Sequence, residues 1–388
     1  MATISGLHIV SGGNVETGDV VVSGGVLFAS GGTLSNTTVS SGGFEIVANE
    51  VIPGAHIFAG IAIGSVISAG GAELVFSGGV VSNTLVETGG LEVLEGPATG
   101  FPGAAAGTAV NTTVSGGLQI VFGSATSTAV DGGTEIVWSG GLSDFSTLNG
   151  TSSFEFVVGR AFGDDINGGT EFLVSGGVAQ NTLVEGGGVQ IVSSGCSSTA
   201  TIINFGGTQV VDFDGTADAT VVSGTQFVGS RGTTILTAVT SGGKEVVEAG
   251  GLAVATLIDG GLMEVVSGGS VGPNANGEDV IFEGGGVLQL DFSQGFNGTI
   301  AGFTSPPAGI TEAIDLVDIA FGAVNATFVE SGSNSGTLTV TDGRHTATLT
   351  LLGQATAINF TLASDGHGGT LVTDLPGAAT SLVLAAHG

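Results

Sequence analysis

Residues 70–75 read Gly-Gly-Ala-Glu-Leu-Val, and this stretch decides the fold because close copies of it recur along most of the chain. Further copies stand at residues 42–47, 132–137 and 206–211. Each has two glycines, a variable residue, Glu or Gln, and then two apolar residues. The acid or amide lies at Glu45, Glu73, Glu92, Gln119, Glu135, Glu155, Glu171, Gln190, Gln209, Gln226, Glu245, Glu264 and Gln289. Several steps between them, such as 73 to 92 and 171 to 190, are 19 residues long, so the chain consists of short repeats.

A second motif, Asn-Thr-x-Val, precedes many of the glycine pairs, at residues 36–39, 83–86, 111–114 and 181–184. The runs between the glycines are short, rich in β-branched residues and without helical periodicity, which predicts strands. A repeat of about 19 residues cannot bury its own apolar face and must stack on its neighbours. The pattern therefore predicts an all-β protein, a β-solenoid of about 19-residue rungs. Propeller blades, at about 40–45 residues, are too long for this repeat.

Stacking in register turns each repeat position into a column of side chains. Two columns are apolar: the residues one and two positions after the acid, such as Ile46 and Val47. Neighbouring residues of a strand face opposite sides, so we expect one column in the core and the other on the surface. An outward apolar stripe is a contact surface unless an insert or the C-terminal region covers it. We predict assembly contacts in this column at Ile46, Leu74, Ile120, Ile136, Phe156, Phe172 and Phe227.

The acid and amide column lies on the same side as the apolar column two residues after it, and so could lie partly inside. Stacked Gln side chains can form amide ladders along the axis. Stacked Glu side chains repel unless they are exposed, protonated or bridged by cations. We expect the Glu residues to be exposed, with a ladder of calcium ions as the alternative.

The charge balance limits the partners. The chain has 34 acidic and four basic residues, for a net charge of −30, so nucleic acid and anionic membrane surfaces are excluded as partners. Cations remain, and weak calcium binding is conceivable at Asp365, Asp212 and Asp214, although a turn is the simpler role of these residues beside glycine. No other cofactor is expected. The single Cys196 rules out a disulfide framework.

The pattern Asn-Thr-x-Val-x-x-Gly-Gly-x-Gln/Glu-x-Val resembles the AIDA-type repeat of autotransporter adhesins, over about residues 5–290. The resemblance implies a solenoid passenger displayed outside the cell and used in adhesion or aggregation. Autotransporters of this type also carry a large C-terminal membrane barrel. Fewer than 100 residues follow the repeats here, which departs from that pattern.

We predict a repeat solenoid over residues 1–296 and a C-terminal β-rich module over 297–388. In the second, residues 337–341 and 346–352 form a hairpin around the turn Asp342-Gly343-Arg344. The region resembles C-terminal modules of type I-secreted bacterial surface proteins, whose uncleaved signal is C-terminal, and the apolar tail 382–386 is compatible with one. The start of the chain has no basic or apolar leader and no long apolar run follows, so we expect export without an N-terminal signal peptide, and no membrane insertion.

Catalysis is not expected. Asp164-Asp165 and the pair Asp212 and Asp214 are the nearest candidates for a glycosidase carboxylate pair, but both lie beside glycines, where turns are the simpler role. Lyase action on acidic sugars would need more basic residues. The favoured function is a self-assembling extracellular structural protein, a fibre, sheath or surface layer. A monomeric cell-surface adhesin with glycan contacts is the alternative, and a polysaccharide-active enzyme or an ice-binding threonine array is remote.

Assembly could also use the start of the chain. The segment from residue 2 to residue 10 alternates apolar and polar residues and could add a strand to a second copy. We therefore predict junction contacts at Ile4, His8 and Val10.

Overall fold

The computed structural model describes residues 1–51, 57–97, 105–193, 195–304, 311–331, 334–353 and 360–374. Within them the regular structure is almost entirely β, and the helical elements are two short 3-10 turns, Ser293–Gly295 and Phe321–Ala323. The chain divides into two compact units. Unit 1 comprises residues 1–220 with 224–226, and unit 2 comprises residues 221–223 with 227–388.

Each rung of unit 1 contains three short strands, one in each of three parallel sheets. A representative rung contains Thr134–Val137, Leu142–Asp144 and Thr147–Asn149. Each strand pairs in register with its equivalents in the neighbouring rungs; Glu135, for example, lies opposite Gln119 and Glu155. The predicted β-solenoid of about 19-residue rungs is confirmed.

The strands of unit 1 follow this order throughout. Sheet one contains Leu7–Ser11, Val26–Ser30, Phe44–Ala48, Ala72–Val75, Leu91–Leu94, Leu118–Val121, Thr134–Val137, Phe154–Val157, Thr170–Leu173, Val189–Val192 and Thr208–Val211. Sheet two contains Val15–Thr17, Thr33–Ser35, Ile61–Ile63, Val80–Ser82, Thr108–Val110, Ser124–Thr126, Leu142–Asp144, Arg160–Phe162, Val178–Gln180, Ser197–Thr199 and Thr216–Asp218. Sheet three contains Thr3–Ile4, Val20–Val21, Thr38–Val39, Val66–Ile67, Leu85–Glu87, Thr113–Ser115, Ala129–Asp131, Thr147–Asn149, Asp165–Asn167, Leu183–Glu185 and Ile202–Ile203. Glu50–Val51 and Ile57–Phe58 form an antiparallel pair in an insert, and Thr225–Val228 contains residues of both units.

Unit 2 repeats the same strand order. Its first sheet contains Lys244–Val247, Leu262–Val265, Gly286–Leu290 and Glu312–Leu316; its second contains Thr233–Ile235, Leu252–Val254 and Ser270–Gly272; its third contains Val221–Val222, Ala238–Thr240, Thr256–Asp259, Val280–Phe282 and Thr299–Ala301. Antiparallel strands follow at Asn325–Glu330, Ser335–Thr341, Thr346–Leu352, Phe360–Ser364 and Thr370–Asp374.

The core of unit 1 is a set of side-chain columns. The residues two positions after the acid, such as Val47, Val75 and Val137, have no exposed surface, so this column fills the core as one of the two predicted apolar columns. The middle residues of sheet two are often as small as Ala109 and Ala125. These small side chains leave space opposite sheet one for longer polar side chains.

The two sequence motifs form the corners between sheets. In Asn-Thr-x-Val the Asn takes the left-handed conformation, with φ between 53° and 58° at Asn36, Asn83, Asn111 and Asn181. The Thr after it then points into the core, as Thr84 does. In the glycine pair at 70–71, Gly70 has φ 74°, while a Cβ on Gly71 would lie 2.4 Å from the carbonyl oxygen of Val39. The pair therefore combines a backbone conformation that glycine favours with a close approach of two chains.

In unit 2, parallel stacking continues beyond residue 296. Thr299–Ala301 pairs in parallel with Val280–Phe282, and Glu312–Leu316 with Gly286–Leu290. The change to antiparallel pairing therefore comes later than the predicted domain boundary. The predicted hairpin is confirmed, because Ser335–Thr341 pairs with Thr346–Leu352.

At the hairpin turn, Asp342 Oδ1 accepts hydrogen bonds of 2.7 Å from the backbone N–H groups of both Arg344 and His345.

The tail 382–386, expected to carry an export signal, lies outside the described residues. Among the described residues, no helix is both long enough and apolar enough to cross a membrane.

Candidate functional site

A column of acids and amides runs through the core of unit 1. We call it the polar column: Glu45, Glu73, Glu92, Gln119, Glu135, Glu155, Glu171, Gln190, Gln209 and Gln226. All ten side chains are fully buried, so the expected exposure of the Glu residues is wrong. The reason is the alternation of sheet one, which turns every second side chain inward, together with the small residues of sheet two opposite.

In unit 2, the acid position of the repeat changes face. In unit 2, Glu245 is fully buried, but its partner in the next rung is Met263 and not Glu264. Glu264 instead faces outward and forms a 2.7 Å ion pair with Lys244. The sequence pattern assigned Glu264 to the column, and a shift of one residue in the strand reverses its face.

Buried hydroxyl side chains line the polar column, and six of them donate hydrogen bonds to it. We call them the hydroxyl column: Thr37, Ser65, Thr84, Thr112, Thr128, Ser146, Thr182, Thr201 and Thr220, all buried. Ser65 donates to Glu45 over 3.1 Å and Thr84 to Glu73 over 3.1 Å. The threonine array considered as a remote alternative for ice binding is buried, so these side chains offer no surface for it. A separation of 11 residues recurs in several rungs, as in Glu73 to Thr84 and Glu135 to Ser146, and is a sequence signal that could have revealed this pairing.

Amides link the rungs along the column. Gln190 Nε2 donates to Glu171, Gln209 Nε2 to Gln190, and Gln226 Nε2 to Gln209, each over 2.6 Å. The predicted amide ladder is therefore confirmed for this part of the column. Because each amide both donates and accepts, the run needs no charge to satisfy its polar atoms.

Burial changes the ionisation of the carboxyl groups. Loss of solvation raises the pKa of Glu45 to about 8 and that of Glu135 to about 7. The pKa of Glu73 lies well above its usual value for the same reason, and the neighbouring Glu45 and Glu92 raise it further. In unit 2, burial raises the pKa of Glu245 to about 6, with hydrogen bonds from Thr256 and Thr234 opposing the shift.

The outward side of sheet one in unit 1 is apolar. We call Ile46, Leu74, Ile120, Ile136, Phe156 and Phe172 the outer apolar face, and all six are partly exposed. Phe156 and Phe172 stack with ring centroids 4.9 Å apart and planes 7° from parallel. Their outward position was predicted. Phe227, predicted as a member of the same stripe, belongs to unit 2 and is partly exposed there.

The three predicted junction residues differ in the exposure of their side chains. Ile4 and Val10 are 8% and 2% exposed, so their side chains belong to the core and offer no contact surface. His8 is partly exposed, and its Nε2 lies 2.7 Å from Glu16 Oε1. Alternation within these first strands turns Ile4 and Val10 inward, whereas Leu7 and Ile9 face outward and are 69% and 52% exposed.

A pair of exposed aromatic rings was not anticipated. Phe122 and Trp138 follow successive strands of sheet one, are 36% and 43% exposed, and stack at 6.0 Å with planes 7° apart. They occupy the same position of successive rungs. Their shared position after the two apolar residues of the repeat was the available sequence signal.

The residues proposed for calcium are turn residues. Asp212 and Asp214 flank a turn closed by the hydrogen bond from the N–H of Gly215 to the carbonyl of Asp212. Asp365 Oδ1 accepts from the N–H groups of His367 and Gly368 at 2.7 and 2.9 Å. Within the described residues, no cluster of three metal-binding side chains includes any of these aspartates. Weak calcium binding at these three aspartates stays a prediction.

The carboxylate pairs considered for catalysis are also explained differently. Asp164 is 1% exposed and lies in the core, whereas Asp165 faces away from it. Asp164 directly follows Gly163, whose φ is 74°, at a corner between two strands, but its side chain is buried and not solvated. A cavity of about 480 Å³ in unit 2 is lined by residues such as Val271, Phe292 and Phe296, and no titratable side chain lines it. A general acid or base would have to come from elsewhere.

Comparisons with known proteins agree with the solenoid. The family model described as "Adhesin of bacterial autotransporter system, probable stalk" matches residues 166–225. The crystal structure of a TibC-catalysed, hyper-glycosylated fragment of TibA, residues 55–350 of that protein, is 33% identical in sequence. It aligns with a TM-score of 0.60 over 72% of this chain and 97% of that chain.

A tailspike protein, gp49 from Acinetobacter baumannii bacteriophage Fri1, a capsular polysaccharide depolymerase, aligns over 93% of this chain and 77% of its own. Its identity is 10% and its TM-score 0.23, too low to support any conclusion on fold or function. No curated protein sequence matches the chain.

The stacked rungs with a polar column inside define a β-solenoid stalk. With one-third identity to the TibA fragment over nearly all of that fragment, the chain belongs to the AIDA family of bacterial autotransporter adhesin stalks. It is thus an adhesin-like protein of the cell surface or exterior, and the family favours a non-catalytic role.

Proposed function

We propose that this chain is a non-catalytic adhesin stalk that associates with a second copy of itself through the outer apolar face. The observation that carries the proposal is the alignment of apolar side chains on the outward side of sheet one. Parallel sheets are generally covered on both faces, and one face of sheet one already packs against the core of unit 1. A second copy, whose outer face has the same shape and chemistry, is the simplest cover.

Charge regulates this association. A net charge of −30 makes two copies repel at long range, while the contact itself is apolar. Salt screens the repulsion, with a Debye length of about 8 Å near physiological ionic strength. Association should therefore become stronger as ionic strength rises, which is opposite to the response of an interface held by ion pairs.

Sedimentation velocity and negative-stain electron microscopy at low and physiological salt test the proposal. The double variant Phe156→Thr/Phe172→Thr should remain monomeric under conditions where the unaltered protein forms dimers or filaments. Leu183→Thr, a comparable loss of a partly exposed apolar side chain on sheet three, is the matched control and should associate normally. Separate short particles of the unaltered protein at every salt concentration would instead support a monomeric adhesin.

A glycan contact is the second candidate, and the Phe122 and Trp138 stack favours it. Two parallel exposed rings present a flat apolar surface, and such patches are typical of binding sites. Trp138→Ala should then reduce binding to a glycan array, whereas Phe156→Thr/Phe172→Thr should leave it unchanged. If neither substitution alters binding to any glycan, this candidate fails.

A further inference from the structure

One rung of unit 1 departs from the pattern of the hydroxyl column. Asp164 takes the position that Ser146 fills in the preceding rung and Thr182 in the following one, and it is equally buried. Its Oδ1 accepts a hydrogen bond of 2.8 Å from the backbone N–H of Ser146. At this rung an acceptor thus replaces a hydroxyl such as that of Ser146, which donates to Glu135 in the polar column.

The replacement brings three carboxyl groups together. Glu155 and Glu171, consecutive members of the polar column, and Asp164 each offer an oxygen atom, and these atoms lie within 4.8 Å of one another. All three side chains are fully or almost fully buried. Among the described residues this is the single cluster of its kind. We call it the acid cluster.

Four of the six carboxyl oxygens of the acid cluster lack donors. Glu155 Oε1 and Oε2, Asp164 Oδ2 and Glu171 Oε1 are buried without a hydrogen-bond partner. Thr182 Oγ1, the next member of the hydroxyl column, is also buried without a partner. By contrast, Glu135 in the preceding rung is satisfied by Ser143 and Ser146 at 3.1 and 2.9 Å. Buried acceptors without donors are costly, and a cation removes that cost.

We propose that the acid cluster binds a calcium ion through Glu155, Asp164 and Glu171. Ca²⁺ prefers oxygen ligands at about 2.3–2.6 Å, so ligands on opposite sides of the ion stand about 4.6–5.2 Å apart. The three ligand oxygens of the cluster lie within 4.8 Å of one another, so one ion of this size can contact all three. Mg²⁺ demands near-ideal octahedral geometry and dehydrates reluctantly, so it is usually held by one or two carboxylates with several waters, which a closed cluster of three buried carboxyl groups does not offer. Soft metals are disfavoured because the cluster contains no sulfur or imidazole ligand.

The ion would join neighbouring rungs from inside. Glu155 and Glu171 belong to adjacent strands of sheet one, and Asp164 lies in the segment between them. Because the cluster is closed to solvent, the ion must enter while unit 1 folds or opens, and chelators should remove it slowly from the folded protein. Calcium binding at the acid cluster depends neither on the outer apolar face nor on glycan contact.

Metal analysis of the full chain tests the assignment. The protein is refolded with Ca²⁺, with Mg²⁺ or with EDTA, dialysed at high salt to displace ions held by surface charge, and analysed by mass spectrometry for bound metal. We expect one retained calcium ion per chain after refolding with Ca²⁺, and a higher melting temperature than after refolding with EDTA. Magnesium should not be retained.

Two variants locate the ion. Asp164→Thr installs the residue type that neighbouring rungs carry, and Asp164→Asn keeps the acceptor for Ser146, so both should fold, as circular dichroism would verify. Both should lose the retained calcium and its effect on melting. Asp131→Asn, which removes the same charge from an exposed position, should retain both effects.

The assignment is overturned if the unaltered protein refolded with Ca²⁺ retains no calcium, in which case protons shared among the carboxyl groups neutralise the cluster. It is also overturned if either Asp164 variant retains the ion. Whether the protein retains calcium at all is decided by the calcium content of the unaltered protein. That measurement is decisive even if a variant fails to fold.

Discussion

Gln190 Nε2 donates a hydrogen bond of 2.6 Å to Oε2 of Glu171, its neighbour in the preceding rung. The two residues are 19 positions apart and both are fully buried. The hydrogen bond joins equivalent positions of neighbouring rungs. Bonds of this kind form a continuous polar chain within an apolar core. The amide of Gln190 satisfies Oε2 of Glu171, whereas Oε1 of Glu171 has no partner. An amide neighbour can donate a hydrogen bond to a carboxylate, and an ionised carboxylate neighbour cannot.

Replacing an amide of this chain by an acid should therefore be harmful. Gln209 donates to Gln190 and Ser198 and accepts from Gln226, and Gln209→Glu removes both donated bonds and buries a carboxyl group. We expect unit 1 to lose about 3 kcal/mol or more of stability at neutral pH. Chemical denaturation measures the loss.

The same chemical change on the surface is the control. Gln180→Glu should be neutral or slightly stabilising, because Gln180 is partly exposed and already accepts a hydrogen bond from Arg160. Equal effects at both positions would contradict the role assigned to the polar column.

Stability should fall as pH rises, and Glu45 shows why. Burial raises its pKa from 4.5 to about 8, so the folded state binds this proton more tightly than the unfolded state. The contribution of protonated Glu45 to the free energy of unfolding is fully present below about pH 4.5. It decreases by about 1.4 kcal/mol per pH unit up to about pH 8, because only the unfolded state releases the proton in this range. Leu27 lies beside it in one neighbouring rung and Glu73 in the other, so no cation opposes this shift.

Thermal melts between pH 5 and pH 9 measure the effect. Glu45→Gln should make the decline shallower, because the amide cannot ionise and can still accept from Ser65. Glu87→Gln, at an exposed acid of sheet three, should leave the slope unchanged. A melting temperature that rises with pH would exclude buried, protonated Glu as the controlling groups.

The two glycines of a corner should differ in their tolerance of a side chain. A Cβ on Gly177 would lie 2.0 Å from the carbonyl oxygen of Val157, so Gly177→Ala should disrupt the stacking of adjacent rungs. Gly176 has φ 88° and open space around it, so Gly176→Ala should cost only about 1–2 kcal/mol of backbone strain. Denaturation midpoints of the two variants check the difference. Similar losses would show that close approach is not the constraint at this corner.

A further substitution should stabilise the protein. Ala200 has φ 57°, the left-handed conformation that Asn181 adopts at the same position of the preceding rung. Ala200→Asn should gain up to about 1 kcal/mol, because Asn tolerates this conformation better than Ala. The control Ala129→Asn places the same residue in a strand, where it is disfavoured, and should give no gain. A loss of stability at Ala200 would contradict the argument.

The repeat was readable because its determinants are local. Each determinant is a property of a few adjacent residues. These determinants are the Gly-Gly corners, the Asn before an inward Thr, and the alternation of Glu45, Ile46 and Val47. The outward position of Ile46 and Phe156 followed from the same alternation. The pairing of Asp164 with Glu155 and Glu171 was not readable, because it depends on which residues of separate strands meet inside a rung.

The sequence by itself determined that this chain is a stacked β-solenoid of short rungs, since period, corner chemistry and alternation depend only on residue order. Tertiary structure alone decided that the acids are buried, that the threonines serve them as donors, and that Glu264 and Met263 exchange faces. The physical reason is that burial and hydrogen bonding depend on the space that sheet two leaves opposite sheet one. That space is set by small side chains such as Ala109, which are distant in sequence from the acids they accommodate.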